Sequence, residues 1–391
     1  MLRVQHNYAI LILPLMLCLA SQAQAAEGNR IIGAGVNQQA ATGAGAASGH
    51  DAFWIVLNPA CLTAVETRAD VSLQVLLATA TFDGQGAFAN TSGELEADEV
   101  VPAPQLAYHR RIDEQRSLAF GIHTITGTQV NLPEGRSAPG AAFGFDDDIK
   151  YGALRASSAY AHKFGEWSVG FAANLNYAQL STNMITGAGT ETKGANETDT
   201  ALGAGFMIGV QYAAENWSAG LAYTSRQWFE SFDKYDDLLS GPLDQPQTIQ
   251  LGLAWQADEQ WELLLDYRFI DYDSVTVIDE GFLWNDLHTV KLAARYAVSD
   301  STTVIAGVSY GEAQIGPDGA FVNALSQLVN EWHLGLGFEH RREQWEFGFA
   351  VVHSPENTVT DDGTGPLGAL AQGSEVGLSV TSLIASVGYR F

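Results

Sequence analysis

Apolar and polar residues alternate along fourteen segments of the chain: 69–82, 103–112, 117–128, 152–164, 167–181, 198–213, 217–229, 247–257, 261–274, 287–298, 301–312, 332–341, 345–353 and 377–391. Successive side chains of a strand point to opposite faces, so each segment reads as a β-strand with one apolar face. From Trp167, Val169, Phe171, Ala173, Leu175 and Tyr177 fall on one side, and Ser168, Gly170, Ala172, Asn174 and Asn176 on the other. Four tight turns carry a glutamate just before a tryptophan: Glu166-Trp167, Glu215-Asn216-Trp217, Glu259-Gln260-Trp261 and Glu343-Gln344-Trp345. Amphipathic rings at strand ends are what a membrane interface selects. Connections alternate between short (113–116, 165–166, 214–216, 258–260, 299–300, 342–344) and long (83–102, 129–151, 182–197, 230–246, 275–286, 313–331, 354–376). A sheet crosses lipid only when it closes and leaves no edge. The pattern therefore predicts an all-β chain, a transmembrane antiparallel β-barrel of about 14 strands over residues 68–391. An even strand number returns the C-terminus to the short-turn, periplasmic rim. A soluble sandwich has no reason to alternate its loops so regularly.

The ends refine this picture. Arg3 and His6 precede an apolar run from Tyr8 to Ala20, and Ala23-Gln24-Ala25 offers small residues for cleavage, so residues 1–25 read as a signal peptide. Cys18 follows the bulky Leu17, which argues against lipidation, and removal of the leader leaves one thiol, Cys61. No later stretch approaches the roughly 18 unbroken apolar residues of a membrane helix. Residues 26–67 do not alternate and are rich in small residues, as in Ile31-Ile32-Gly33-Ala34-Gly35 and Gly43-Ala44-Gly45-Ala46-Ala47. Such a segment packs closely inside something else, and reads as a plug or hatch within the lumen. In the long loop 313–331, Phe321, Ala324, Leu325, Leu328 and Val329 recur at helical spacing and predict a short amphipathic helix.

Composition narrows the partners. With 45 acidic against 19 basic residues, the chain does not attract nucleic acid. Outer-membrane lipids suit it, because divalent cations bridge an acidic rim to anionic headgroups. Asp146-Asp147-Asp148 and Asp361-Asp362 read as solvated loop clusters rather than a defined calcium loop. No zinc spacing, phosphate loop or dinucleotide loop appears, and Gly-x-Gly pairs sit within strands, so no cofactor is expected.

Strand parity assigns the charges. Leu263, Leu265, Tyr267 and Phe269 share the lipid face, which turns Glu262, Asp266 and Arg268 inward. Val290, Leu292, Ala294 and Tyr296 do the same for Lys291 and Arg295. Asp266, Arg268, Lys291 and Arg295 are expected as one lumen cluster across two strands, holding the hatch or binding an anionic head. Arg155, Arg226, His123 and His333 also count as inward and His162 as outward, with no nucleophile evident beside any histidine.

The Gly/Ala run Gly43 to Ala47, then His50-Asp51-Ala52, then Asn58-Pro59-Ala60, resembles the hatch of the FadL-type outer-membrane transporters of long-chain fatty acids and other hydrophobic molecules. The run Val329 to Gly337 is also similar to the start of a strand in that family. The resemblance implies hatch-gated passive uptake of a hydrophobic small molecule by a monomer in the bacterial outer membrane, and no enzymatic activity. It further implies lateral exit at a kink in the third strand, where Gly121 and Gly127 lack side chains, with Asn58-Pro59-Ala60 packed inside that kink. It makes Tyr389 and the terminal Phe391 the signal read by the outer-membrane assembly machinery. Two departures stand out: Cys61 replaces a usual glycine, and Gln179, after Tyr177-Ala178, replaces a basic residue expected to meet a carboxylate. The alternatives are a general porin for small polar solutes, against which the plug argues, and an outer-membrane hydrolase, for which no site is visible.

Overall fold

The structure is a computed structural model that describes residues 27, 30–90, 93–132, 147–184, 186 and 190–391. The expected leader, residues 1–25, and Asp146 lie outside the described residues. Its strands are β1 Arg68–Asp83, β2 Leu95–Arg111, β3 Arg116–Leu132, β4 Asp147–Phe164, β5 Trp167–Thr182, β6 Asp199–Ala213, β7 Trp217–Thr224, β8 Trp228–Phe229, β9 Thr248–Gln256, β10 Trp261–Ile270, β11 Leu287–Ser299, β12 Thr302–Gly311, β13 Trp332–Arg342, β14 Trp345–Thr360 and β15 Glu375–Arg390. Each long strand pairs antiparallel with its sequence neighbour, β8 being a two-residue continuation of β7. β1 pairs with β15, so the sheet is a closed barrel of fourteen long strands.

The alternating pattern is the wall. Val169, Phe171 and Leu175 are exposed outward, while Ser168, Ala172, Asn174 and Asn176 are buried inward. Above the short turns the outward rings pair across strands: Trp167 with Tyr212 at 5.0 Å, Trp261 with Tyr296 at 4.5 Å, and Trp345 with Tyr389 at 4.9 Å between centroids. This is an aromatic girdle at one interface.

Several elements differ from the sequence reading. β2, β3, β4 and β14 run past their expected ends. Their added residues, with Leu95, Ala97, Val101, Val130, Leu132 and Ile149 turned inward, build a large apolar cluster with the long loops. The segment 217–229 is interrupted after Thr224. There Gln227 turns fully inward and its Oε1 accepts from the Nδ2 groups of Asn174 and Asn176, at 3.3 and 3.1 Å. The expected helix in 313–331 is a single 3₁₀ turn, Phe321–Asn323. Asn323 instead accepts from Trp284 Nε1 and donates to the Phe282 carbonyl, both at 2.7 Å. Side-chain bonds of this kind compete with helix propagation. Leu325, Leu328 and Val329 are buried individually in the apolar cluster. Asp361 is not a solvated loop residue. It is buried, and its Oδ1 accepts from Gly363 N at 2.9 Å.

Candidate functional site

The hatch is three short turns joined by extended chain. They are an α-helical turn α1, Gly35–Ala40, and two 3₁₀ turns, Ala52–Val56 and Pro59–Ala64. Asp51 caps the second through Phe53 N at 2.8 Å. Asn58 caps the third through Ala60 N at 3.1 Å, and Pro59 follows at the first position, where its missing N–H costs nothing. The Asn58 Nδ2 also donates to the Ala46 carbonyl at 2.6 Å and to Val210 of β6 at 3.2 Å. A Cβ at Gly170 or Gly209 would strike Pro59 and Asn58 or Ala60. Asn58-Pro59-Ala60 therefore seats against β5 and β6 rather than at Gly121 and Gly127, which corrects the expectation; the same turn meets β3 further on, where the Leu62 carbonyl accepts from Ser117 Oγ at 3.4 Å. Gly121 instead faces Ile55, whose Cγ2 would lie 3.1 Å from a Cβ there.

The inward charges are where parity puts them, but they do not form one cluster. Asp266 and Lys291 are opposite in register. Yet Asp266 accepts from Gly45 N at 3.0 Å, Ala46 N at 2.9 Å and Gln250 Nε2 at 2.6 Å. Arg268 and Lys291 both bind Glu27. Burial pushes the Glu27 carboxyl up, but the charges of Arg268 and Lys291 outweigh it and hold the group below its ordinary range. Arg295 reaches Asn37, Glu262 at 3.3 Å and Glu339 at 3.5 Å. Each of the four thus meets the hatch directly or reaches a carboxylate bonded to it. Parity did not reveal this, because the acceptors and donors lie far away in sequence. Arg226 lies between β7 and β8, 3.8 Å from Asp244.

One constellation invites a hydrolase reading. His50 Nε2 lies 2.9 Å from Ser48 Oγ and 3.0 Å from Glu262 Oε2. Both contacts fall on the same ring nitrogen, and Ser48 donates its proton to Glu262. A serine nucleophile needs its base nitrogen free of the acid, which belongs on the other nitrogen. The arrangement ties the hatch to β10 and is not a triad.

Among the described residues the wall is broken between β2 and β3. β2 and β3 pair only from Leu106↔Ile122 to Arg111↔Ser117, although β2 begins at Leu95 and β3 runs to Leu132. Among the described residues the Gln129 amide reaches across the gap, donating to Glu99. The kink is not at the glycines. Gly121 and Gly127 keep regular partners in β4, whereas the register slips between Thr124 and Thr126, with Ile125 left over as a bulge. Ile31 of the hatch donates its N–H to the Ile125 carbonyl at 3.1 Å, and Arg30 bridges Thr126. The sequence carried a signal for this break. Pro102 and Pro104, two residues apart on one edge of β2, have no N–H, which suits an edge without a ladder.

Two cavities lie along β4. The outer one, ≈ 570 Å³, is lined largely by apolar loop residues, among them Met184, Leu238, Leu239, Ile278, Phe282 and Trp284. The inner one, ≈ 590 Å³, lies beside the bulge and includes Arg30, Ile31, Leu57, Ile125, Arg155 and Met207. Tyr151 lines the first and Arg155 the second, about 13 Å apart at roughly 3.3 Å per residue. Gln245, which lines the outer cavity with Tyr151, donates its Nε2 to the Tyr151 hydroxyl at 3.2 Å.

A sequence profile described as outer membrane protein transport protein (OMPP1/FadL/TodX) matches residues 16–391. The chain belongs to this family. The members are transport proteins rather than enzymes, and the barrel is one of the bacterial outer membrane. Among solved structures it resembles the Pseudomonas putida toluene transporter TodX, with a TM-score of 0.70 at 16% identity, covering 92% of this chain and 99% of that one. A Pseudomonas aeruginosa FadL homologue matches with a TM-score of 0.70 at 12% identity, covering 93% and 100%. The Ralstonia pickettii toluene transporter TbuX matches with a TM-score of 0.63 at 14% identity, covering 92% and 99%. At these identities the likeness is one of fold. No curated protein sequence matches the chain. The position where the family resemblance expects a basic residue, Gln179, faces outward and donates to Tyr177 OH at 2.7 Å, away from both cavities.

Proposed function

We propose that this barrel takes up hydrophobic small molecules by passive diffusion, as a monomer, with the hatch closing the direct path through the lumen. The apolar outer cavity collects the molecule, the inner cavity receives it beside the bulge, and the break between β2 and β3 releases it sideways into the lipid. Outer-membrane lipid is then the receiving phase. Transfer of an apolar solute into it is favoured by about 25 cal/mol per Å² of apolar surface kept from water. The observation that carries this reading is the unladdered stretch of β2 and β3 beside a cavity. The names of the toluene transporters agree with a hydrophobic cargo. A porin reading fits less well, because residues 30–66 fill the lumen among the strands.

The test is a lock at the break. Antiparallel partners lie about 4.5–5.5 Å apart between Cα atoms, within disulfide range. Cysteines replacing Ile31 and Ile125 should therefore oxidise, the buried Cys61 standing apart. Uptake of labelled dodecanol by cells should fall on oxidation and return on reduction. Protein-dependent uptake that ignores the lock would place the exit elsewhere.

A further inference from the structure

The short-turn rim is lopsided in charge. Residues 211–219, 255–263 and 296–304, which bracket the short turns from β6 to β12, hold no lysine or arginine and carry the exposed acids Glu215, Asp258, Glu259 and Asp300. The rim of β2, β3 and β4 instead carries Arg110, Arg111, Arg116 and Lys163, all exposed. Arg111 is engaged by the hatch, donating from Nη2 to the Ala64 and Val65 carbonyls at 3.2 and 3.0 Å. Arg116 is forked onto Asp113 in the turn, through Nε at 2.7 Å and Nη2 at 2.6 Å. Among the described residues Arg110 and Lys163 are in no ion pair.

Strand parity turns part of this charge toward lipid. Tyr108, Leu118, Phe120, Tyr160 and Phe164 are exposed on the outer wall, while His109, Ser117, Ala119 and Ala161 are buried inside. Arg110, Arg116 and His162 share the parity of the outward set. Arg110 lies opposite Leu118, and Arg116 opposite His162. Opposite residues lie about 4.5–5.5 Å apart and diagonal ones about 7–8 Å, so the three side chains share a patch the size of one headgroup. His162 is held in place there. Its ring stacks on Phe164 at 4.1 Å, and its Nδ1 lies 3.1 Å from the Tyr160 hydroxyl. Tyr108, whose ring lies 6.1 Å from that of Phe391, is the next outward residue above Arg110. Such rings mark the interface, so the arginines sit at headgroup depth.

We propose that this patch binds an anionic phospholipid of the inner leaflet, with Arg110 and Arg116 on its phosphate and His162 beside it. Guanidinium groups match phosphate oxygens in charge and geometry. A zwitterionic headgroup would bring its own ammonium beside the arginines, which favours the anionic lipid. The acyl chains then rise along Leu118, Phe120 and Tyr160. Arg110 lies about 13 Å below Leu106, where the β2–β3 ladder stops, at roughly 3.3 Å per residue. The chains of one leaflet span about 15 Å, half of a hydrocarbon core about 30 Å thick. They reach the lower edge of the break, so on the uptake reading this lipid is the first that released cargo meets. The binding itself does not depend on that reading.

The experiment is native mass spectrometry of the full barrel, released from detergent micelles with equal amounts of phosphatidylglycerol and phosphatidylcholine of identical chains. Wild type should retain phosphatidylglycerol at least tenfold over phosphatidylcholine. Each arginine beside an anionic headgroup contributes roughly fivefold, so Arg110→Gln with Arg116→Gln should remove most of that preference. Arg110→Gln alone, which strands no partner, should lower it about fivefold if the double variant fails to fold. Lys193→Gln with Lys234→Gln removes equal charge from the outer loops and should leave it intact. No preference in wild type, an unchanged preference in the arginine variants, or an equal loss in the loop variant would overturn the proposal. Displacement of the lipid by excess glycerol phosphate would mark a site for the free anion and overturn it too. An arginine-dependent preference in a barrel that takes up no labelled dodecanol would sink the uptake reading alone.

Discussion

Gly220 of β7 lies so close to Ala46 of the hatch that a methyl group on it would collide with the Ala46 carbonyl. The same relation recurs around the lumen. A Cβ at Gly307 would come 2.6 Å from the Ala41 carbonyl carbon, and one at Gly348 would come 3.1 Å from Val36 Cβ. The wall's glycines are a seat for the hatch backbone. Gly220→Leu should therefore displace the hatch while leaving the barrel closed. The expected result is a normal heat-modifiable band with faster proteolysis of the hatch and a larger single-channel conductance. An overpacking cost of about 1–3 kcal/mol sets the scale.

Asp266→Ala removes the acceptor of Gly45 N, Ala46 N and Gln250 Nε2 at once. Hydrogen bonds to a charged group contribute about 1.5–3 kcal/mol, so a loss of about 3 kcal/mol in hatch docking is expected. In planar bilayers this should appear as frequent channel openings absent from wild type. A silent variant would show that the remaining contacts suffice.

The hatch should loosen as pH rises. Burial, then the neighbouring Asp70, push the Asp51 carboxyl up to about 8, against the pull of Arg68. Its Oδ2 shares the Asn37 amide with Glu339, at 2.8 and 2.5 Å. A released Asp51 titrates near about 3.9, so the docked hatch favours the protonated acid. Docking is fully supported below that value and is lost as pH climbs through about 8. Openings in bilayers should be more frequent at pH 9 than at pH 5, and Asp51→Asn should abolish the difference while keeping its cap to Phe53 N.

Topology is open to a direct check. Cysteine replacing the exposed Asp318, in a long loop, should react with an impermeant reagent on intact cells, and cysteine replacing Glu259, in a short turn, should not. The reverse pattern would invert the barrel in the membrane.

Parity made Asp266, Arg268, Lys291 and Arg295 legible as inward residues, because a strand leaves a side chain only two directions. It could not say that Lys291 finds Glu27, or that Asn58 finds Val210, since such partners are set by how the hatch lies in the lumen. The Ile125 bulge was misplaced to Gly121 and Gly127 because missing side chains weaken a strand without necessarily bending it. Pro102 and Pro104 were the better pointers. The helix expected in 313–331 failed because apolar spacing alone cannot foresee Asn323 bonding to Trp284 and Phe282.

Deleting Phe391 should sharply reduce the folded form in the outer membrane, as read from heat-modifiable mobility in membrane fractions. The residue lies just beyond β15, its ring 5.1 Å from Tyr389 and 6.1 Å from Tyr108. Unchanged insertion would separate this terminus from any role in assembly.

The amide of Phe391 donates to the Thr67 carbonyl at 3.0 Å, where the hatch passes into β1. β1 and β15 are zipped from Arg68↔Arg390 to Asp83↔Glu375, so the seam joins the two ends of the barrel chain. The hatch leads directly into one side of that seam. The hatch also grips the far side of the seam: Val36 N donates to Ser386 Oγ of β15 at 3.1 Å, and its side chain lies against Gly348 of β14. One short stretch of hatch thus staples the first and last strands from within, so the residues that fill the lumen also fasten the closure of the cylinder.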